Sequence, residues 1–225
     1  MKNREFGFFV LLCPAIFFVP VCPGQEYLLM TDRAERNIIL ASNSPRRREL
    51  LRQIGVSFTT DPADVDERVL PGEAPEDYVI RVALAKARVV AARAGEGIVI
   101  AADTIVVQDD TLLGKPADPL DAERMLSMLS GKMHRVITGL AVMDAADGKT
   151  RTSISNTKVW FRDLSPEEII AYVKSGEPLD KAGAYGIQGK GALLVSRLDG
   201  CYFNVVGLPL ELLGELLLEF GVSLL

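Results

Sequence analysis

The stretch that most restricts how this chain can fold is residues 38–55, Ile-Ile-Leu-Ala-Ser-Asn-Ser-Pro-Arg-Arg-Arg-Glu-Leu-Leu-Arg-Gln-Ile-Gly. Residues 38–41 are a short apolar run of the kind a buried strand shows. Ser44-Pro45 is a helix start, with the serine placed to cap and the proline at the first helical position. Leu50, Leu51 and Ile54 supply an apolar stripe, and Gly55 suits the left-handed residue past the helix end. A strand therefore runs straight into a helix. The charges do not suit a purely structural helix. Arg46 and Arg47 occupy the first turn, where free backbone N–H groups already carry partial positive charge, and Arg48 and Arg52 repel across one turn. Each such placement costs about 0.3–1 kcal/mol, which an arriving anion would offset. Helix N-termini flanked by hydroxyls and arginines are ready phosphate sites, and the competing reading is a solvated arginine-rich face.

The 225 residues carry 48% hydrophobic and 24% charged side chains, enough for one sizeable core. A formal net charge of −5 argues against broad electrostatic binding to nucleic acid, so any basic feature must be local. Cys13, Cys22 and Cys201 form neither a disulfide framework nor a metal-ligand pattern. Residues 1–37 differ from everything after them. Lys2 and Arg4 precede an apolar run over 6–21, broken by Pro14 and Pro20, that resembles a signal-peptide core or a short membrane segment. No clean small-x-small cleavage site follows, and Val19-Pro20-Val21-Cys22 is a poor lipobox because Val21 is too large. Alternatively the working chain starts at Met30, whose polar lead into the first strand is normal for a cytoplasmic domain. Export or membrane tethering is the other reading.

Along the body, Val56-Ser57-Phe58 alternates as a short strand, and residues 61–67 form an acidic loop. Glu67 gains interest only if that loop folds back toward the arginines. Residues 75–94 read as a long helix with Val79, Val82, Ala83, Val89 and Val90 on one side. Lys86 falls inside that stripe, where it either snorkels or points into a site holding negative charge. Residues 98–107 form the most apolar strand of the folded part and carry Asp103 in the middle. A carboxylate there is costly unless paired, hydrogen-bonded or metal-bound, which makes Asp103 the best candidate for chemistry. Lys115 stands between Gly114 and Pro116, so its backbone is fixed.

Asp118-Pro119 starts a helix that Gly131 ends, and a strand over 136–143 follows His134. This lone histidine is better explained by a structural hydrogen bond than by zinc. Asp147-Gly148 makes a hairpin turn into a strand around 157–161, and Ser165-Pro166-Glu167-Glu168 is a capping box opening a helix over 166–175. Residues 180–189 form a glycine-rich loop without Walker or dinucleotide spacing. Tyr185 offers a ring edge there and Gln188 an amide able to read a base, against the competing reading of a flexible surface loop. Residues 193–196 and 202–206 look like a final strand pair around Asp199-Gly200, and 208–220 like a closing amphipathic helix.

Taken together, Ser42-Asn43-Ser44-Pro45-Arg46-Arg47, Asp66-Glu67, Lys86, Ala102-Asp103-Thr104, Gly114-Lys115-Pro116, the Ser130 to Gly139 stretch and Ala184-Tyr185-Gly186-Ile187-Gln188-Gly189 resemble, in order, the motifs of the Maf-type nucleoside triphosphate pyrophosphatases. The resemblance runs from about Ile38 to the C-terminus. It implies a single α/β domain, residues 38–225, with a central mixed, twisted sheet flanked by helices, of the Maf and inosine-triphosphatase kind. It also implies a cytoplasmic, often homodimeric enzyme that cleaves a nucleoside triphosphate between the α and β phosphates with a divalent cation, Mg²⁺ or Mn²⁺. The proton-acceptor role falls on Asp103, and Arg46, Thr104 and Gln188 are the specificity positions. The late loop is similar to the branch acting on dTTP and UTP rather than the one acting on 7-methyl-GTP.

That picture agrees with the chemistry of the residues. Ser42, Ser44, Arg46, Arg47, Lys86, Thr104, Lys115 and Gln188 are the substrate-binding candidates, and Glu67 and Asp103 the oxygen ligands for the cation. Asp103 is either the base or a metal ligand whose bound water attacks. Two rivals are the same chemistry on other nucleotides and a non-catalytic regulator of cell division. Neither nucleic acid nor stable membrane association of the folded domain is expected.

Overall fold

The computed structural model describes residues 36–225. The expectations for the N-terminal extension, including a start at Met30 and export, fall on residues outside that range apart from its last two. Among the described residues, the strands are β1 (Ile38–Leu40), β2 (Thr59–Thr60), β3 (Ile98–Gln108), β4 (Thr111–Leu113), β5 (Met133–Asp144), β6 (Thr150–Phe161) and β7 (Val195–Asp199). The α-helices are α1 (Pro45–Gln53), α2 (Pro75–Ala94), α3 (Pro119–Leu129), α4 (Pro166–Lys174), α5 (Tyr202–Val206) and α6 (Leu210–Leu218). No helix among these residues is long and apolar enough to cross a membrane.

The strands form one mixed sheet in the order β2-β1-β3-β5-β6-β7, with β4 also on β3. β1 runs parallel to β2 and β3, and the remaining pairs are antiparallel. The alternation along β3 sorts its side chains between two layers. Ile98, Ile100 and Ala102 pack with Leu50 and Leu51 of α1 and Leu213 and Leu217 of α6. Val99 and Ala101 pack with Ala83, Ala87 and Val90 of α2. A third apolar cluster joins Val106, Val136 and Phe161 to α3 and α4.

Register locates the opening in this fabric. β1 pairs with residues 98–100 of β3, and β4 pairs with 106–108 of the same edge. Residues 101–105 therefore lack a strand partner on that side, and Asp103 sits mid-gap. The chain leaving β1 enters α1 there, and the chain leaving β4 carries Gly114 and Lys115. Open α/β sheets place ligands in such crevices beyond strand carboxyl ends.

Local signals explain most of the elements. Ser44 caps α1, its Oγ accepting from Arg47 N at 3.4 Å, and Ser165 and Glu168 form the expected capping box of α4. Three expectations are corrected. Residues 202–206 are the short helix α5, not a strand, and β7 begins at Val195, while Leu193 ends a 3-10 turn. The early strand is Thr59–Thr60; Val56 and Phe58 pack half-buried on the core without pairing, because β1 offers only three residues. Val89 is exposed at 36%, off the buried stripe of α2.

Gly139 faces Asp103 across the β3–β5 ladder, and a Cβ there would stand 2.5 Å from Val79 O of α2. Gly139→Ala must push α2 off the sheet. It should cost about 1–3 kcal/mol as an overpacked core position, seen as a fall of roughly 3–10 °C in the thermal midpoint; an unchanged midpoint would mean that α2 does not rest on β5.

Candidate functional site

The gap in the sheet opens into a cleft of about 780 Å³, lined among others by Ser42, Ser44, Arg46, Arg47, Glu67, Lys86, Asp103, Thr104, Lys115 and Gln188. Small-molecule sites typically enclose roughly 300–1,000 Å³. Every site residue expected from the sequence lies on this one cleft, although they come from positions 42 to 188.

Strand alternation divides the floor into two halves. Asp103 points with Val99 and Ala101 toward α2, and there meets Lys86, which replaces an apolar residue in the stripe of Val79, Val82, Ala83 and Val90. Lys86 Nζ lies 2.8 Å from Asp103 Oδ1 and 2.7 Å from Glu67 Oε1. Lys86 thus points into the site, with its side chain only 11% exposed. The acidic loop folds back as Glu67 needs, because Tyr78 on α2 donates its hydroxyl to Glu67 O at 2.9 Å. Asp66 turns away to pair with Arg68, which holds its carboxyl down to about 2.

Burial pushes the Asp103 carboxyl above its usual range, and the charge and hydrogen bond of Lys86 only partly reverse this. Desolvation wins even against an ammonium in contact. A carboxyl raised in this way is a stronger proton acceptor than an ordinary one. Asp103 Oδ2 takes no hydrogen bond among the described residues.

Thr104 points to the other face and meets Arg47. The guanidinium donates from Nε to Gly207 O at 2.8 Å, from Nη1 to Ser42 Oγ at 3.3 Å and from Nη2 to Thr104 Oγ1 at 3.0 Å. All three acceptors are neutral, so Arg47 is held rigidly while its charge stays unmatched by a carboxylate in contact. Behind it, Thr104 Oγ1 lies 2.9 Å from Thr138 Oγ1, its ladder partner on β5. Ser42 Oγ also accepts from Ser44 N at 3.1 Å. The hydroxyls of Ser42, Ser44 and Thr104 thereby fix the arginine and its helix start.

Arg46, next along, reaches across the cleft to Asp180 at 3.1 Å. Lys115 lines the cleft with no ion-pair partner among the described residues. Gln188 is half-buried, and its amide has no hydrogen bond there either. The chain 180–189 is not a loose surface loop but a series of 3-10 turns.

Tyr185 lines the cleft only with a small part of its surface. It is buried, its Oη lies 2.7 Å from His134 Nε2, and its ring stacks edge-on with His134 and Phe161. Burial holds the His134 imidazole down to about 4, so it stays neutral, in the structural role expected of it. Residues 177, 180 and 207 also line the cleft without having stood out in the sequence, and Tyr172 stands behind Glu177. Asp180 lay in the glycine-rich stretch, but nothing in its neighbours indicates a partner 134 positions away.

Asp103 and Glu67 are drawn to one ammonium; no group of three or more His, Cys, Asp or Glu that could hold a metal occurs among the described residues.

The description "Maf-like protein" matches residues 37–220. A protein of Moorella thermoacetica named dTTP/UTP pyrophosphatase is 54% identical over 186 residues, covering 83% of this chain and 96% of its own. Proteins of the same name from Syntrophomonas wolfei and Methanosarcina mazei are each 50% identical, covering 83% and 84% of this chain and 98% and 96% of their own. Among solved structures, a HAM1 protein from Coxiella burnetii aligns with a TM-score of 0.47 at 18% identity, over 82% of this chain and 99% of that one. With a family match spanning most of the fold and relatives at half identity or better over nearly their whole length, this chain belongs to the Maf-like protein family.

Proposed function

We propose that this chain hydrolyses dTTP and UTP to the nucleoside monophosphate and pyrophosphate. The observation that carries the reading is the division of one cleft into a cationic wall of Arg46, Arg47 and Lys115 and a buried Asp103 with a raised pKa. Names shared by relatives at 50–54% identity supply the substrate. The α1 N-terminus and the arginines take the phosphate chain, and Gln188 meets the pyrimidine edge with an amide that can both donate and accept.

In this reading a water oxygen bonds to the α phosphorus as the α–β bridging P–O bond breaks. Asp103 takes the water proton, and the leaving pyrophosphate is neutralised by the arginines. Lys86 favours the ionised form of Asp103 against its burial and holds it in place. Glu67 and Asp103 fit a Mg²⁺ or Mn²⁺ ion, because such cations use one or two protein carboxylates and complete their shell with water and phosphate oxygens. When bound, the cation draws negative charge from the phosphates.

A panel of triphosphates assayed for pyrophosphate release, with and without Mg²⁺, tests the reading. dTTP and UTP should be the best substrates and a chelator should stop turnover; far faster turnover of 7-methyl-GTP or ITP would overturn it.

Asp103→Asn should lower kcat by about 10²–10⁴-fold while a dTTP analogue still binds. Its folded pKa is raised, so the Asp103 charge opposes folding increasingly as pH rises above the ordinary value of 3.8. The variant's melting temperature at pH 7 should therefore not fall below that of the wild type, and a large fall would assign Asp103 a structural role.

The acid limb of kcat/KM should lie above the ordinary carboxylate range. Lys86→Gln removes the cation that pulls Asp103 down, so the limb should move to higher pH. A limb that stays put in this variant would separate Asp103 from the titrating step.

A further inference from the structure

The wall of the cleft that carries Gln188 is fastened by two side chains with no part in proton transfer. Tyr172 lies on α4, and Glu177 opens the 3-10 turn Glu177–Asp180. Tyr172 Oη donates to Glu177 Oε1 at 2.9 Å and accepts from Gly186 N at 3.2 Å. Glu177 Oε2 accepts from Lys190 N, and Oε1 from Gly191 N, each at 3.1 Å. Both ends of residues 186–191 are thus tied to one hydrogen-bonded pair, with Gln188 between them.

The glycines show how tightly the loop is drawn around that pair. A Cβ on Gly191 would stand 2.0 Å from Gly186 O and 2.6 Å from Tyr172 Oη. One on Gly189, where φ is +65°, would stand 2.9 Å from Glu177 Oε2. Partial burial works against the Glu177 charge, but the N–H groups of Gly191 and Lys190, the Tyr172 hydroxyl and Lys181 together hold its carboxyl below the usual range. The clamp therefore stays ionised at neutral pH. Gln188 has no side-chain partner among the described residues to aim it, so the backbone alone decides where its amide lies.

We propose that Tyr172 and Glu177 are positioning residues for base selection, setting the 186–191 loop so that the Gln188 amide reaches the nucleobase edge. This rests on the functional reading above, in which Gln188 meets the base. The pair acts through Gln188 and makes no contact with the reacting phosphate.

The test measures pyrophosphate release by the full chain from dTTP, UTP, CTP and GTP. It compares the wild type with Tyr172→Phe, Glu177→Gln, Gln188→Ala and the double variant Glu177→Gln/Gln188→Ala, with a melting curve for each. A wild type that does not prefer dTTP and UTP defeats the functional reading and this proposal with it. Where the preference holds, Tyr172→Phe and Glu177→Gln should each raise KM for dTTP about tenfold and reduce the preference over CTP, with kcat changed by no more than about threefold.

The double variant should be no weaker than Gln188→Ala alone, because a residue acting through another adds nothing once that other is gone. Penalties that add, or a fall in kcat equal for all four triphosphates, would reveal a general structural role and overturn the proposal while leaving the functional reading intact. Tyr172→Phe keeps the ring in the core, so it carries the test if Glu177→Gln fails to fold.

Discussion

The cleft depends on one ammonium group. Asp103 sits among apolar neighbours in the middle of β3, and Lys86 Nζ holds both it and Glu67 within 2.8 Å. Removing Lys86 would leave the buried Asp103 carboxylate without its cation, a loss of about 3–5 kcal/mol for a buried pair, whereas Lys86 without Asp103 keeps Glu67. Three segments far apart in sequence, 67, 86 and 103, are therefore bound to a single point, which keeps the acidic loop folded over α2. Yet the pair does not win outright. Burial still raises the Asp103 carboxyl despite contact with a cation. A site selected only for stability would fill this gap with an aliphatic side chain, so the retained carboxylate marks chemistry rather than support.

The pleat of β3 then separates two tasks that would otherwise interfere. Position 103 faces α2 and works with a lysine and a carboxylate; position 104 faces α1 and works with an arginine and hydroxyls. Adjacent residues on one strand thus place a buried carboxylate and a guanidinium on opposite sides of the same opening, without a direct ion pair that would cancel both. Had Arg47 been able to reach Asp103, the carboxyl would have been held low and the guanidinium spent. Instead the arginine's donors are taken by Gly207 O, Ser42 and Thr104, which fix its direction and leave its charge available.

Much of this was legible in advance because the governing signals are local. Ser44-Pro45, Asp118-Pro119 and Ser165-Pro166 each state a helix start in two residues, and all three helices begin where those pairs put them. Asp103 stood out because a charge in the middle of an apolar strand demands an explanation. What stayed hidden depends on tertiary contacts. Residues 202–206 are rich in the aromatic and β-branched types that favour strands, but five residues cannot distinguish a period of 2.0 from one of 3.6. The helix exists because the buried Asn204 amide donates to Val136 O and Thr157 Oγ1, and Gly207 at φ +119° ends it. Tyr185 was assigned outward since nothing near it in sequence reveals that His134 is waiting below. Glu177 was hidden for the same reason: besides the Tyr172 hydroxyl its partners are backbone N–H groups, which nearly every residue possesses.

The cleft is largely self-neutralised, and this shapes what binding must do. Arg46 is matched by Asp180, and Lys86 by Asp103 and Glu67, while Arg47 and Lys115 have no carboxylate in contact among the described residues. A polyanion entering this space meets two cations without a carboxylate in contact, Arg47 and Lys115, and three that must exchange partners, Arg46 and Lys181 on Asp180 and Lys86 on Asp103 and Glu67. The exchange at Arg46 is cheap, because Asp180 is 60% exposed and water can take over its oxygens. The exchange at Lys86 is not, since Asp103 would be stranded in the interior. An anion is therefore expected to displace the outer pair and leave the inner one standing, so that Asp103 keeps its cation. The difference in burial between two ion pairs only a few side chains apart thus sets the order in which the cleft can rearrange.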